Sequence, residues 1–351
     1  MKNVEIAGRP IRPGAPPFVI AEMSGNHNGE LARAIALVDA AAAAGADAIK
    51  LQTYTADTIT IDHDGPDFRI EEGPWAGRTL HALYQDAHTP WEWHEALFAR
   101  GRECGLAVLS SPFDPTAVDL LERLNAPAYK IASFEIVDLP LIRCVAATGK
   151  PMIISTGMAN LDEIGEAVDA ARDSGAAGVV LLHCTSGYPT PVREANLKRI
   201  GRLAECFDCP IGLSDHTLGT DVSVAAVAMG ACLIEKHITL SRADGGPDAE
   251  FSLEPDELAQ LVVGVRNAFE ALGSADFVHA GSEAGNVMFR RSLYAVRNID
   301  AGETFTEDNV RSIRPGHGLP PKLLPLVLGR RAACSIARGT ALSENLLGDP
   351  S

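Results

Sequence analysis

Lys50 and Lys130 stand at equivalent places in two short runs whose composition is typical of β-strands. Side chains alternate across a strand, so Lys50 shares one face with Gln52, while Ile49 and Leu51 share the other. The apolar face should pack against helices, so the lysines are expected to point into a polar site. Two lysines with hydroxyl groups nearby suit a small polyanion that carries a phosphate and a carboxylate.

Two histidines belong to two later strand-like runs that follow one another along the chain: His216 ends the first, and His237 lies within the second. A single histidine in a strand is more often structural, but two at matching depth suit a divalent metal with open coordination positions. Each stands next to a charged residue, Asp215 or Lys236, which favours the metal site. Glu22, at the end of the first run, is a candidate acid or base near the anion. The alternative is a buried polar network without a catalytic role.

These runs belong to an alternation of strands and helices from Phe18 to about Leu272. The clearest helix is Leu31–Ala44, which Gly45 should end. Eight strand–helix units over this length predict an α/β fold, a (β/α)8 TIM barrel, in which catalytic residues come from the carboxyl ends of the strands. An open doubly wound sheet is the alternative, because periodicity does not show closure. The predicted strands are Phe18–Glu22, Asp47–Gln52, Leu106–Ser111, Ala128–Ser133, Pro151–Thr156, Val179–Thr185, Ile211–His216 and Cys232–Leu240.

A long excursion from Thr53 to Pro90 follows the second predicted strand. It is rich in Asp, Gly and Thr, and it contains Trp75 and Tyr84. Loops in this place lie over the mouth of a barrel, so the excursion is either a substrate lid or a structural insertion.

The character of the sequence changes after Leu272. Residues 273–287 are mostly small and polar and are expected to form a linker. Short β-type runs follow, separated by turn-forming segments, at Ser292–Val296, Val310–Ile313 and Ala332–Ile336. We therefore predict a catalytic barrel at 1–272 and a small β-rich domain at 288–351.

Composition argues against several classes of function. Acidic residues outnumber basic ones 46 to 30, and a formal charge of -16 disfavours binding to nucleic acid or to anionic membranes. No apolar run has the length of a membrane span, and the first residues lack the apolar core of a signal peptide. The seven cysteines are scattered, and Cys206 and Cys209 form a lone CxxC pair, so reduced cysteines and a cytoplasmic location are expected.

Several motifs, in this order, resemble the sialic acid synthase family. They are AEMSGNHNGE (21–30), GADAIKLQTYT (45–55), YKIAS (129–133), STGMA (155–159), GLSDHT (212–217) and IEKH (234–237). The segment NVRSIRPGHGL (309–319) resembles the small antifreeze-like, or SAF, domain of that family. The resemblance covers almost the whole chain. It implies an enzyme that condenses phosphoenolpyruvate with a sugar aldehyde to give a nine-carbon 2-keto acid.

The resemblance also implies roles for individual residues. Glu22 and Glu135 would flank the reacting carbons, and His216 and His237 would bind a divalent metal such as manganese, magnesium or cobalt. The residues that would hold phosphoenolpyruvate are Lys50, Lys130, Ser133, Ser155 and Ser214. Ser186 is a weaker candidate, because it stands where related enzymes have an asparagine in a CTNxYP motif. Gln52, Tyr188 and Asp248 would line the sugar, and Arg314 would reach an acyl group of the sugar in the partner subunit of a domain-swapped homodimer.

Within the family, four further motifs resemble the enzymes that make pseudaminic acid: TPWEWH (89–94), SSPFD (110–114), SFE (133–135) and FSLEP (251–255). The expected aldehyde is then 2,4-diacetamido-2,4,6-trideoxy-L-altrose, a 6-deoxy sugar for which an apolar neighbour such as Phe134 would be suited. The alternatives are synthesis of N-acetylneuraminate or legionaminate. A more distant alternative is a non-catalytic saccharide- or ice-binding protein.

Overall fold

A computed structural model describes residues 4–73 and 75–348 of the chain. The chain divides into two compact units, residues 1–273 and 274–351. Each unit has a hydrophobic core of its own.

The first unit contains a closed barrel of parallel strands, as the sequence predicted. An antiparallel hairpin, β1 (Val4–Ile6) and β2 (Arg9–Ile11), precedes it. The last barrel strand pairs with the first, which excludes the open sheet. The barrel strands are β3 (Phe18–Glu22), β4 (Ala48–Thr53), β5 (Ala107–Pro112), β6 (Tyr129–Ile131), β7 (Met152–Ser155), β8 (Val179–Cys184), β9 (Ile211–Asp215) and β10 (Leu233–His237).

Helices surround the barrel and begin and end where local chemistry favours it. Asp114 accepts the backbone N–H of Thr116 at 2.7 Å, and Asn160 and Glu163 form a reciprocal capping box. Gly45, at φ +82°, follows the first helix in a conformation that disfavours other residues. The helices of this unit are α1 (Leu31–Ala43), α2 (Ala56–Ile59), α3 (Leu80–Ala87), α4 (His94–Glu103), α5 (Pro115–Arg123), α6 (Leu139–Ala146), α7 (Leu161–Asp173), α8 (Lys198–Cys206), α9 (Asp221–Ala228) and α10 (Pro255–Leu272).

The two faces of the barrel strands have different surroundings. Ile49 and Leu51 belong to the core between strands and helices. Inside the barrel, a second apolar cluster joins Ile20 and Leu109 to side chains of the β1–β2 hairpin, including Ile6. The hairpin therefore fills the amino-terminal end of the barrel, which we call the floor, and the polar strand residues are left at the opposite end.

The second unit is small and mostly irregular. It contains an antiparallel pair, β11 (Ser292–Ala295) and β12 (Val310–Ile313), and a short helix, α11 (Leu324–Val327). The predicted strand at 332–336 is present only as isolated bridges, from Ala332 to Leu347 and from Ile336 to Ile299. Within the segment expected to be a linker, a 3-10 helix begins and runs over Gly281–Phe289.

In the described part of the chain, no helix combines the length and the apolar character needed to cross a membrane.

Candidate active site

A cavity of about 490 Å³ lies at the carboxyl end of the barrel strands. The residues that the sequence predicted for the site and that line this cavity are Glu22, Lys50, Gln52, Lys130, Ser133, Glu135, Ser155, Tyr188, Ser214, His216, His237 and Asp248. Seven barrel strands or the turns that follow them contribute to this group, as expected for a TIM-barrel site.

Two lysines and two glutamates form a buried cluster at the base of the cavity. Lys50 Nζ lies 2.5 Å from Glu22 Oε2 and 4.0 Å from Glu235 Oε2, and it donates to Ser111 Oγ at 3.3 Å. Lys130 Nζ lies 3.7 Å from Glu235 Oε1. In the described contacts, Lys130 has a looser carboxylate neighbour than Lys50, so it is the more available cation for an incoming anion.

Glu235 is a site residue that sequence reasoning missed. It is buried between the two lysines and accepts a hydrogen bond from Ser214 Oγ at 3.0 Å. The signal was present, because Glu235 is two residues before His237 on the same strand and therefore shares its face.

The pKa values of the two glutamates in the cluster are shifted in opposite directions. Burial raises the pKa of Glu22 to about 7, against the opposing charge of Lys50. Burial would also raise the pKa of Glu235, but Lys130 and Lys50 together hold it below its ordinary value. Burial lowers the pKa of Lys130, and Glu235 only partly offsets this. Glu235 is thus the ionised partner of the lysines, whereas Glu22 can exchange a proton near neutral pH.

Serine hydroxyls lie beside the lysines. Ser155 Oγ is buried and has no hydrogen-bond partner, and Ser133 Oγ accepts the backbone N–H of Gly157 at 3.1 Å. A Cβ atom added at Gly157 would lie 2.2 Å from Ser186 Oγ and 2.7 Å from Ser133 Oγ. Only glycine at this position leaves room for both hydroxyls. Ser186 therefore lies beside this group, although it is not among the residues that line the cavity.

His216 and His237 face each other at the ends of β9 and β10, with ring centroids 5.3 Å apart. His216 Nδ1 lies 3.1 Å from the carbonyl oxygen of Thr185. The other ring nitrogen of His216, Nε2, takes no part in this contact. His237 Nδ1 is buried without a hydrogen-bond partner and lies 3.7 Å from Asp248 Oδ2. With metal–nitrogen distances of roughly 2.0–2.1 Å, two rings at this spacing can share one ion.

Within the described residues, no group of three or more potential metal-ligating side chains is assembled. Two neighbouring imidazoles, one of which has a buried Nδ1 without a hydrogen-bond partner, are a donor set that fits a metal with its other positions open to water or substrate.

Asp215 and Lys236 do not support the metal site in the way that the sequence suggested. Lys236 Nζ pairs with Asp215 Oδ2 at 2.9 Å, and Asp215 also accepts from Thr217 and Ser223. Both residues are on the strand faces opposite to the histidines, because each is one position removed along its strand. Their pairing joins neighbouring strands β9 and β10 behind the site.

Glu135 follows β6 in a 3-10 turn, Ser133–Glu135, because β6 ends earlier than predicted, at Ile131. Its Oε2 is buried without a hydrogen-bond partner, and burial raises its pKa to about 7, against the opposing charge of Lys130. The neighbouring Phe134 is 59% exposed and lies at the rim of the cavity.

The excursion after β4 contributes an aromatic and aliphatic wall to the same cavity. Trp75 Nε1 donates to the carbonyl oxygen of Pro247 at 2.9 Å, and its ring lies 5.7 Å from that of Tyr188. Tyr54 packs edge-on against Tyr84 at 5.7 Å. A neighbouring cavity of about 700 Å³ shares Trp75 and Pro247 but contains none of the predicted catalytic residues. The excursion is therefore part of the site and not only a surface insertion.

Arg314 lies in the second unit, where it is exposed. It is the one predicted site residue that belongs to a different unit from the cavity.

Comparison with known proteins agrees with this geometry. A NeuB family model matches residues 37–277 and a SAF domain model matches residues 290–347. A pseudaminic acid synthase of Campylobacter jejuni is 43% identical over 93% of this chain and 96% of its own, and one of Helicobacter pylori is 40% identical over 94% and 97%. The crystal structure of the spore coat polysaccharide biosynthesis protein SpsE of Bacillus subtilis superposes with a TM-score of 0.68, at 35% identity, over the whole of both chains. The family model spans more than half of the chain, and the chain therefore belongs to the NeuB family.

Proposed function

We propose that this protein is a pseudaminic acid synthase, which condenses phosphoenolpyruvate with 2,4-diacetamido-2,4,6-trideoxy-L-altrose and releases phosphate. The observation that carries the proposal is the pair of buried lysines, Lys50 and Lys130, at the base of a cavity that two buried histidines also line. A phosphate and a carboxylate on one small molecule match two buried cations, and the aldehyde matches the histidine side. The pseudaminic acid synthases among the relatives make this sugar the first candidate.

Phosphoenolpyruvate would replace contacts that the lysines now make with carboxylates. Glu235 holds both cations in place, and Ser155 Oγ offers a hydroxyl without another partner. The Ser133 hydroxyl accepts the Gly157 amide and keeps its own O–H for the anion, whereas the Ser214 hydroxyl donates to Glu235 and holds that carboxylate beside the lysines.

His216 and His237 would hold a divalent metal such as manganese, magnesium or cobalt. When bound, the metal would polarise the aldehyde oxygen as a Lewis acid. Asp248, 3.7 Å from His237 and bonded to Ser24, would orient the sugar or the imidazole at the same place.

The chain's own acid–base groups can serve the remaining steps. The methylene carbon of phosphoenolpyruvate attacks the aldehyde carbon, the aldehyde oxygen takes up a proton to become a hydroxyl, and positive charge develops at the phosphate-bearing carbon. Glu22 lies beside Lys50, where its carboxylate can stabilise that charge or take a proton from the attacking water. Phosphate then leaves from the tetrahedral intermediate. The pKa of Glu135 is raised in the same way, so Glu135 is the second candidate to accept the proton of the attacking water.

The test is turnover with a panel of aldehydes. Purified protein is incubated with phosphoenolpyruvate, a divalent metal and either 2,4-diacetamido-2,4,6-trideoxy-L-altrose, its legionaminate-type isomer or N-acetylmannosamine. Phosphate release and product mass are measured. A higher kcat/KM for either of the other aldehydes would assign the enzyme to legionaminate or N-acetylneuraminate synthesis. Binding of sugars without phosphate release would indicate the non-catalytic alternative.

We further propose that the enzyme acts as a homodimer in which the second unit of one protomer covers the barrel of its partner. Large apolar side chains are exposed in the segments that follow β6 to β9, at the carboxyl end of the barrel: Phe134, Val137, Met158, Leu161, Val192 and Leu218. Exposed apolar surface at an active-site mouth favours a partner. Met288, Phe289 and Ile313 of the second unit are also exposed. Ile313 is next to Arg314 in the sequence, and the carbonyl oxygen of Met288 accepts the backbone N–H of Gly316 at 2.9 Å. A second copy thus offers both an apolar surface and a cation for an acyl oxygen.

Mixing two inactive variants, Arg314→Ala and His216→Ala, tests the shared site. A heterodimer would pair one intact barrel with one intact arginine, so activity should return in part after subunit exchange. No recovery at any ratio, with subunit exchange verified by mass, would exclude capping by the partner.

All seven cysteines are free, which supports the proposal of a reducing, cytoplasmic location.

A further inference from the structure

The wall that the excursion contributes to the cavity has a chemistry different from that of the barrel strands. Ile59, Ile70, Leu80 and Leu83, which we call the aliphatic patch, all line the cavity. Among the described residues, these are the isoleucines and leucines of the cavity lining, and all four come from the excursion. The lysines, glutamates and histidines of the lining come instead from the barrel strands and the turns that follow them.

Ordered elements hold the aliphatic patch in place. Ile59 ends α2, and Leu80 and Leu83 lie on α3, whose first turn is capped by the Thr79 hydroxyl. The backbone of Ile70 bonds to both Arg78 and Gly77, which fixes it across from the start of α3. The Trp75 hydrogen bond to Pro247 joins the excursion to the loop after β10. The patch is therefore a preformed surface.

The excursion also contributes two tyrosines to the cavity lining, Tyr54 and Tyr84, whose rings pack edge-on at 5.7 Å. Beside them, the aliphatic patch presents hydrocarbon to a ligand that occupies the cavity. A hydroxyl placed against such a surface loses water without gaining a partner.

We propose that the aliphatic patch is the specificity-determining surface for the C6 methyl group of the sugar, and that Phe134 is not. This inference rests on the proposed function. In the sugar aldehyde, C1 must reach the histidines and the enol carbon above the lysines, so the far end of its carbon chain extends toward the wall of the excursion. The C6 methyl is the apolar group at that end. Phe134, largely exposed at the rim, gives a methyl group little burial.

Two aldehydes that differ only at C6 test the proposal: the 2,4-diacetamido-2,4,6-trideoxyhexose and its 6-hydroxy analogue. A hydrophobic pocket rejects a group that adds a hydroxyl by at most about a hundredfold, so the expected preference of the wild type in kcat/KM is roughly tenfold to a hundredfold. Ile59→Thr and Ile70→Thr should each reduce it severalfold, and the double variant should bring it to about threefold or less.

Ile59→Val and Ile70→Val are the matched controls, because valine has nearly the shape of threonine without its hydroxyl. They should retain most of the preference. If the valine and threonine variants lost the preference equally, the volume of the side chain and not its polarity would determine the preference. That result would overturn the proposal. So would a preference that is abolished by Phe134→Thr but kept in the double isoleucine variant. Failure of the wild type to release phosphate with either aldehyde would refute the proposed function instead.

Discussion

Replacing Glu135 by glutamine should change how the stability of the folded protein depends on pH. The folded state raises the pKa of this carboxyl from 4.5 to about 7, chiefly by burial. The folded protein therefore binds the proton more tightly than the unfolded chain does. The stabilisation that this proton gives is present at low pH and is lost as the pH rises through 7. Glutamine cannot ionise, so the variant does not lose this stabilisation as the pH rises.

The magnitude follows from the size of the shift. With about 1.4 kcal/mol for each pKa unit, the variant should gain relative to the wild type about 2 kcal/mol at pH 6 and about 3 kcal/mol at pH 8.5. These are upper values, because Glu135 keeps partial contact with solvent, which screens the effect. Any difference in packing between the two side chains adds a constant that does not vary with pH.

Urea unfolding followed by circular dichroism at several pH values measures this difference without requiring turnover. Glu92→Gln is the control, since Glu92 is exposed on the same unit, and it should follow the wild type at every pH. A stability gain of Glu135→Gln that stays constant or shrinks between pH 6 and 8.5 would refute the assignment of a buried, proton-binding carboxyl.

Three further predictions concern the ligands. His216→Asn and His237→Asn should each abolish saturable Mn²⁺ binding, measured by isothermal titration calorimetry, while circular dichroism stays unchanged; retained binding in both variants would place the metal elsewhere. Lys50→Ala and Lys130→Ala should each weaken phosphoenolpyruvate binding about tenfold to a hundredfold, since a charge-assisted hydrogen bond contributes roughly 1.5–3 kcal/mol; unchanged affinity in both would show that the anion binds at another place. Gly157→Ala should fold, because the new Cβ meets flexible serine hydroxyls and not backbone. The variant should have a higher KM for phosphoenolpyruvate, since the serine hydroxyls are displaced. A KM equal to that of the wild type would show that these serines do not bind the anion.

Much of the site could be predicted because strand alternation links sequence to side-chain direction. Every second side chain of a strand lies on the same face, and this alternation predicts the residues that line the cavity: Lys50, Gln52, His216 and His237. The same rule would have identified Glu235, two residues before His237, had it been applied to every position of that strand.

Other features depend on contacts that no local pattern encodes. The sequence predicts that Asp215 and Lys236 support the histidines, but the register of β9 and β10 pairs them with each other. The sequence alone does not decide the role of the excursion, because the hydrogen bond from Trp75 to Pro247 joins residues that are 172 positions apart. The position of Ser133 in a turn follows from the early end of β6, and such boundaries are the least certain part of a sequence prediction.

The hairpin that fills the barrel floor has a kinetic consequence. Because β1 and β2 close the amino-terminal end with apolar side chains, ligands approach Lys50 and Lys130 from the carboxyl end of the strands. With phosphoenolpyruvate at the base and the aldehyde above it, the upper ligand blocks the path of the lower one. Binding should then follow a compulsory order, with the anion first. The nine-carbon acid, which spans both levels, must clear the mouth before the next cycle, so it should inhibit competitively against phosphoenolpyruvate and not against the aldehyde.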